Sequence, residues 1–312
     1  MGARIVVTGA AGFVGSALVR RLLRDGHAVL AWVRPGSEAP RLARLPADGL
    51  AWLRHDLADL GTPGGRAAVR ERLAAWQPTA VVHGAWTGVR GAARDDTAQL
   101  AQVAVGLALL EACAEAGARR FLGLGSQAEY GPCEGPIREE QVPRPASLYG
   151  VAKLACGLAC LAAAPRLGIS VAWGRLFSVY GPGERRGALI PDLARALREG
   201  RDFPLGTCAG PWDYLYEDDA AEALASLLLA PGADGTFNVA SGASVPLRDV
   251  VERVVRMTAP GRHVPLGTRP AAPGEACRLE ADIGRLVRAT GFRARTALDE
   301  GLARTLAAVQ ES

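Results

Sequence analysis

Lysine is almost missing from this chain of 312 residues: there is one, Lys153, against thirty-five arginines. Abundant Ala, Gly, Leu and Arg point to GC-rich coding, which makes the single exception informative. Arg is planar and bulky, whereas Lys is a compact point charge with three rotatable donors, so position 153 reads as one where a guanidinium will not serve. Histidine is scarce, with four residues, and the cysteines at 113, 133, 156, 160, 208 and 277 form no C-x-x-C pair. No metal-binding set is therefore expected. Cys156 and Cys160, one helical turn apart among Ala, Leu and Gly, read as small buried apolar residues. Unpaired thiols suit a reducing compartment. Charge runs are missing too. The net charge of +4 is small for this length, and Arg20, Arg21 and Arg24 read as a solvated helix face rather than a nucleic-acid stripe. No basic leader precedes an apolar run, and no stretch is read as reaching transmembrane length. These absences lead us to expect a cytoplasmic protein with neither a nucleic-acid nor a membrane partner.

What is present is alternation. Strands are expected at Arg4–Val7, Val29–Val33, Trp52–Leu53, Ala80–His83, Arg120–Gly125 and Ser170–Arg175. Helices are expected at Phe13–Asp25, Arg66–Trp76, Thr97–Ala116 and Leu148–Leu167. Such a βα series predicts an α/β fold: a Rossmann-type, doubly wound parallel sheet with helices on both faces. After Tyr180, glycines and prolines break the chain into shorter elements, which predicts a smaller C-terminal substrate-binding lobe. We expect the dinucleotide-binding domain over 1–176, with return segments near 206–242 that include a strand around Thr236–Val239. The lobe should comprise 177–205 and 243–312.

Three local patterns carry chemistry. Gly9, Gly12 and Gly15 lie in Thr8-Gly-Ala-Ala-Gly-Phe-Val-Gly15, between the first strand and the first helix. Glycines let the turn tighten and the backbone amides approach a pyrophosphate, and the helix N-terminus favours the negative charge. The second strand ends in Ala31-Trp-Val-Arg-Pro-Gly-Ser37, with no carboxylate for a ribose 2′-hydroxyl. Arg34, aided by Ser37, suits a 2′-phosphate, so NADP is expected, with NAD possible. Asp56 is set to contact the adenine, and His83-Gly84-Ala85 to line the cofactor channel, although His83 reads equally well as a packed strand-end residue. Finally, Tyr149 and Lys153 are four apart on a helix and share a face. An ammonium beside a phenol is expected to lower the phenol's pKa towards working pH.

Together these motifs resemble the extended short-chain dehydrogenase/reductase family, in its sugar-nucleotide epimerase/dehydratase branch. Thr8–Gly15 is similar to T-G-x-x-G-x-x-G, Tyr149–Lys153 to Y-x-x-x-K, and Gly125–Gly131 to the segment supplying a catalytic Ser or Thr, here Ser126. Arg175–Gly183 resembles R-x-F-x-V-Y-G-P-G, Asp213–Asp219 resembles D-F-V-Y-V-D-D, and Phe237–Gly242 resembles F-N-x-x-S-G. The resemblance implies that Tyr149 is the acid or base, that Ser126 hydrogen-bonds the same substrate oxygen, and that Lys153 holds the nicotinamide ribose. It also implies cofactor contacts at Phe13, Val14, Leu57 and Phe177, beside those named above. Substrate contacts are expected at Trp86, Gln127, Ser178 and Trp212, with Trp86 and Trp212 equally readable as packing. A homodimer is implied through helices 97–116 and 148–167.

The reaction is less legible. Dehydratases carry Asp and Glu after the catalytic Thr, whereas this chain has Gln127 and Ala128, and Glu129 should face the other way. With NADP expected, the favoured reading is NADPH-dependent reduction of a keto group on a nucleotide-linked (deoxy)hexose. An NAD-dependent sugar-nucleotide epimerase is the alternative, and a non-catalytic NADP sensor is a third class, which the intact Ser126, Tyr149 and Lys153 disfavour. The chain departs from its relatives in three places. Trp212 replaces a basic residue and Gln102 an Asn. Ala272 replaces an Arg for the substrate diphosphate, a role left to Arg269 or Arg278.

Overall fold

The computed structural model describes residues 2–184, 186–270 and 276–310. Strand β1 (Arg4–Thr8) is apolar on both faces, and Ile5, Val6 and Val7 are fully buried. Continuous apolar runs of this kind belong in a parallel sheet covered on both sides. β2 (Ala28–Val33), β3 (Leu50–Arg54), β4 (Ala80–His83), β5 (Arg120–Ser126), β6 (Ser170–Leu176) and a late strand, β9 (Gly235–Val239), complete it. The order is β3-β2-β1-β4-β5-β6-β9, and every pair is parallel. This is the expected Rossmann-type α/β sheet. Its order reverses between β1 and β4, where a crevice opens at the strands' carboxyl ends.

The helices are α1 (Phe13–Arg24), a short α2 (Pro40–Ala43), α3 (Pro63–Trp76), α4 (Ala101–Glu115), α5 (Leu148–Leu167), α6 (Leu189–Arg198), α7 (Glu217–Leu229), α8 (Leu247–Thr258), α9 (Gly284–Thr290) and α10 (Leu298–Gln310). On one face of the sheet, α3, α4 and α5 bury Val69, Leu73, Leu109, Leu110, Cys156 and Cys160. On the other, α1 and α7 bury Leu18, Leu22, Leu224 and Leu228. Of the three arginines of α1, Arg24 stays exposed as expected, but Arg20 and Arg21 do not form a solvated face. Arg20 pairs with Asp218 at 2.6 Å, and Arg21 pairs with Glu222, because α7 packs alongside and brings its acidic first turns to them. A second correction concerns length. Residues 97–115 and 148–167 are long and apolar enough to cross a membrane by length and composition. Both are packed on the sheet, and α5 carries the buried Lys153.

A second, three-stranded sheet of order β10-β8-β7 unites β7 (Ser178–Tyr180), β8 (Pro211–Tyr216) and β10 (Ser244–Pro246). Residues 211–216 were expected within a segment returning to the main sheet. They form the middle strand here, because β8 pairs parallel with β7 and antiparallel with β10. Tyr180, Ile190, Leu193, Tyr216, Val250 and Leu302 make this lobe's core with α6, α8 and α10.

Candidate active site

The glycine turn fits a dinucleotide for a steric reason. Gly9 has φ +70°, and a Cβ there would lie 2.6 Å from Gly84 C and Ala85 N. The two turns therefore touch backbone to backbone, and Ala85 N donates to Thr8 Oγ1 at 3.3 Å. A Cβ on Gly15 would strike Gly9 O. Helix α1 starts at Phe13 and Val14 with no side-chain cap and no acidic residue in its first turn, so its amides are open to an anion. His83 is packed beneath. It is 2% exposed, with Nδ1 3.0 Å from Thr8 Oγ1, and burial pushes its pKa down to about 3, which keeps the ring neutral.

At the far end of the crevice Arg34 is exposed, and Ser37 O accepts from Arg54 Nη1 at 2.7 Å. Arg54, which sequence reasoning missed, stacks on Trp52 with 5.3 Å to the ring centroid. It ends β3 in register with Val33, and that pairing is what sets it beside the Arg34 turn. Asp56 caps the turn that begins at Leu57, accepting from Ala58 N at 3.0 Å through one oxygen.

The candidate catalytic group forms where β5 ends. Ser126 caps the turn Gln127–Glu129, and Ala128 N donates to its Oγ at 3.2 Å. Glu129 does turn away, into a fully buried pocket below the site. Its carboxylate accepts from Ser126 N at 2.8 Å, Trp173 Nε1 at 3.0 Å and Arg175 Nε at 2.7 Å. Gly125 makes room for this pocket, since a Cβ there would lie 2.3 Å from Trp173 Nε1. Arg175 also stacks on Tyr130 at 4.3 Å, and the Tyr130 hydroxyl donates to Asn238 Oδ1 at 2.6 Å. A continuous polar network thus runs from Ser126 to the edge strand β9.

Helix α5 packs over this turn. Ser147 caps it, and Tyr149 and Lys153 both face inward, 8% and 4% exposed. Lys153 Nζ donates to Leu124 O at 2.6 Å and lies 3.8 Å from the centroid of the Trp86 ring. Burial pushes its pKa down to about 8. The expected lowering of the Tyr149 pKa by Lys153 is not what the geometry gives. Burial is the largest influence and raises it, while the neighbouring Ser126 hydroxyl and the Arg94 guanidinium act in the opposite direction. The ammonium is aimed at a carbonyl and an indole instead. Trp86 meets Tyr149 edge to face at 6.4 Å, so it belongs to this group.

Of the other expected substrate contacts, Gln127 is half-buried on the Ser126 turn, and Ser178 and Trp212 come together, with Trp212 Nε1 donating to Ser178 Oγ at 2.8 Å. Phe177 is buried one residue before Ser178. Arg278 pairs with Glu280 at 2.7 Å, next to the bridge between Trp212 and Leu279. Arg269 N bonds Leu205 O at 2.9 Å, and its Nη1 bonds Pro270 O. Ala272 lies outside the described residues. Gln102 holds Thr87 by two bonds, with Thr87 N donating to its Oε1 at 3.0 Å and its Nε2 donating to Thr87 O at 3.3 Å.

The model of the family described as NAD dependent epimerase/dehydratase matches residues 5–240. A UDP-glucose 4-epimerase of Mycolicibacterium smegmatis is 28% identical over 324 residues, covering 97% of each chain. A dTDP-glucose 4,6-dehydratase of Streptomyces niveus is 28% identical over 321 residues, covering 97% of this chain and 91% of that one. Among solved structures, MoeE5 in complex with UDP-glucuronic acid and NAD superposes with a TM-score of 0.82 at 30% identity, covering 99% of both chains.

Proposed function

Because the chain belongs to the NAD-dependent epimerase/dehydratase family, we propose that it transfers hydride at one carbon of a nucleotide-linked sugar and inverts that carbon. NAD(P) supplies the hydride acceptor and donor when bound. The supporting observation is that Ser126 and Tyr149 converge at the end of β5 while the carboxylate of that turn, Glu129, is enclosed and paired with Arg175. Tyr149 can take a proton from a sugar hydroxyl and return it to the carbonyl oxygen, with the Ser126 hydroxyl on the same atom. Inversion then needs only that the keto sugar turn over, so that hydride returns to its opposite face, with no further acid or base. Water loss needs a further acid and base, and Gln127 and Ala128 supply neither. Among the similar proteins, the UDP-glucose 4-epimerase favours inversion over net reduction, and the dTDP-glucose 4,6-dehydratase is set aside by Gln127 and Ala128.

A second reading, NADPH-dependent reduction of a keto sugar, draws on Arg34, Ser37 and Arg54 around the adenosine end. One experiment separates the two. The protein is incubated with NAD and either UDP-glucose or UDP-glucuronic acid, and the sugars are analysed by NMR. Formation of the inverted sugar without net cofactor reduction is expected. Steady NADPH consumption with a 4-keto-6-deoxy nucleotide sugar, and no epimer, would favour the reductase; neither activity would sink both. If NADP is the preferred cofactor, Arg34→Ala should weaken NADPH binding by roughly tenfold and leave NADH unchanged, since only the 2′-phosphate gains a charge-assisted contact.

We also infer a homodimer through 97–116 and 148–167, where Leu158 (57% exposed) and Leu100 (49% exposed) leave apolar surface uncovered. Sedimentation equilibrium should give a dimer for the native chain and a monomer for Leu158→Arg; a native monomer would refute the inference. Six free cysteines suit a reducing, cytoplasmic setting.

A further inference from the structure

The loop after β4 is more organised than a connection requires. Gln99 is 2% exposed, accepts from Trp86 Nε1 at 2.8 Å, and donates to Gly88 O at 2.9 Å and Ala93 O at 2.8 Å. Two residues on, Asp95 Oδ1 accepts from Leu148 N at 3.1 Å, in the first turn of α5 and one residue before Tyr149. The residue between these two ties is Arg94. Its guanidinium carbon lies 4.7 Å from the centroid of the Tyr149 ring, and among the described residues no hydrogen bond or ion pair engages its side chain.

We propose that Arg94 is the charge partner of Tyr149: held on the ring face by its fixed neighbours, it favours the ionised phenol during the reaction. The inference rests on Tyr149 being the proton-carrying group. The face of a phenol ring is electron-rich, and ionisation spreads further negative charge into it, so a cation there gains more from the phenolate than from the phenol. The arrangement divides the labour between two cations. Lys153 is committed to Leu124 O and the Trp86 ring, and Arg94 to Tyr149. The other titratable and charged groups around the phenol are Ser126 and Glu129 from the β5 turn, Lys153 from its own helix, and Asp95 from the loop. Among the described residues, Arg94 is the cation placed over the ring. Arg94 acts through Tyr149 and is therefore a positioning residue.

Direct titration tests this without knowledge of the natural sugar. The full-length protein with added NAD is titrated in the near-ultraviolet phenolate band, and the same titration of Tyr149→Phe is subtracted to isolate Tyr149. Subtraction is needed because burial raises the other four tyrosines as it does Tyr149, Tyr130 to about 12. Arg94→Gln should raise the Tyr149 midpoint by about one pH unit, a tenfold weaker acid, and Arg94→Lys should restore part of the shift. An unchanged midpoint in Arg94→Gln overturns the proposal. If circular dichroism shows that Arg94→Gln does not fold, Arg94→Met gives the same reading. Failure of the broader function would look different: the native protein would titrate as described yet turn over no nucleotide sugar.

Discussion

Tyr149→Phe is expected to lower turnover by about 10²–10⁴-fold, the range typical for removal of a positioned acid–base group. The substitution deletes one oxygen and keeps the ring. Trp86 still has an edge-to-face partner and Arg94 still has a ring beneath it, so the local packing should persist. The cofactor dissociation constant, measured by quenching of tryptophan fluorescence, should change little, because the glycine turn and Lys153 are untouched. Ser126 cannot replace the phenol. Its hydroxyl can hydrogen-bond a substrate oxygen, but its proton is not released near neutral pH. If the variant retains a tenth or more of native turnover on a nucleotide sugar, Tyr149 is not the proton carrier and the proposed chemistry is wrong.

The second large effect is on stability. Glu129→Gln should cost about 3–5 kcal/mol, the usual consequence of leaving one member of a buried ion pair uncompensated. The Arg175 and Glu129 side chains are 5% and 0% exposed, so water cannot stand in for the lost charge. A glutamine oxygen can serve either Ser126 N and Trp173 Nε1 or Arg175 Nε, and its NH2 group then faces the donor or donors on the other side. Urea unfolding followed by tryptophan fluorescence measures the loss. Adding Arg175→Met should recover part of it, because the second change removes the stranded cation. A loss below about 1 kcal/mol would mean that the pair contributes little net stability. The same substitution should also loosen Ser126, whose backbone amide is tied to that carboxylate.

The glycine turn, the parallel βα order and the inward pairing of Tyr149 with Lys153 were legible because each depends on a few consecutive residues. A strand buried on both sides reads as an apolar run, and residues four apart on a helix share a face whatever the rest of the chain does. The unpaired, buried Cys156 and Cys160 were legible for the same reason. Arg34 could be seen as the end of a strand, but Arg54 could not be paired with it until β3 docked on β2. Glu129 could be judged to face away from the cleft, yet nothing near it announced Arg175, which is 46 residues further on. Arg94 had no signal at all among so many arginines. Its position depends on Asp95 meeting Leu148, 53 residues away.

The amino-acid order alone determined the sheet, the glycine turn between β1 and α1 and the shared inward face of Tyr149 and Lys153, since local sterics and hydrophobic periodicity act over a handful of residues. Tertiary structure alone decided where the charges point and how acidic the phenol is. Those properties follow from burial and from partners distant in the chain, and desolvation has no counterpart in a linear pattern.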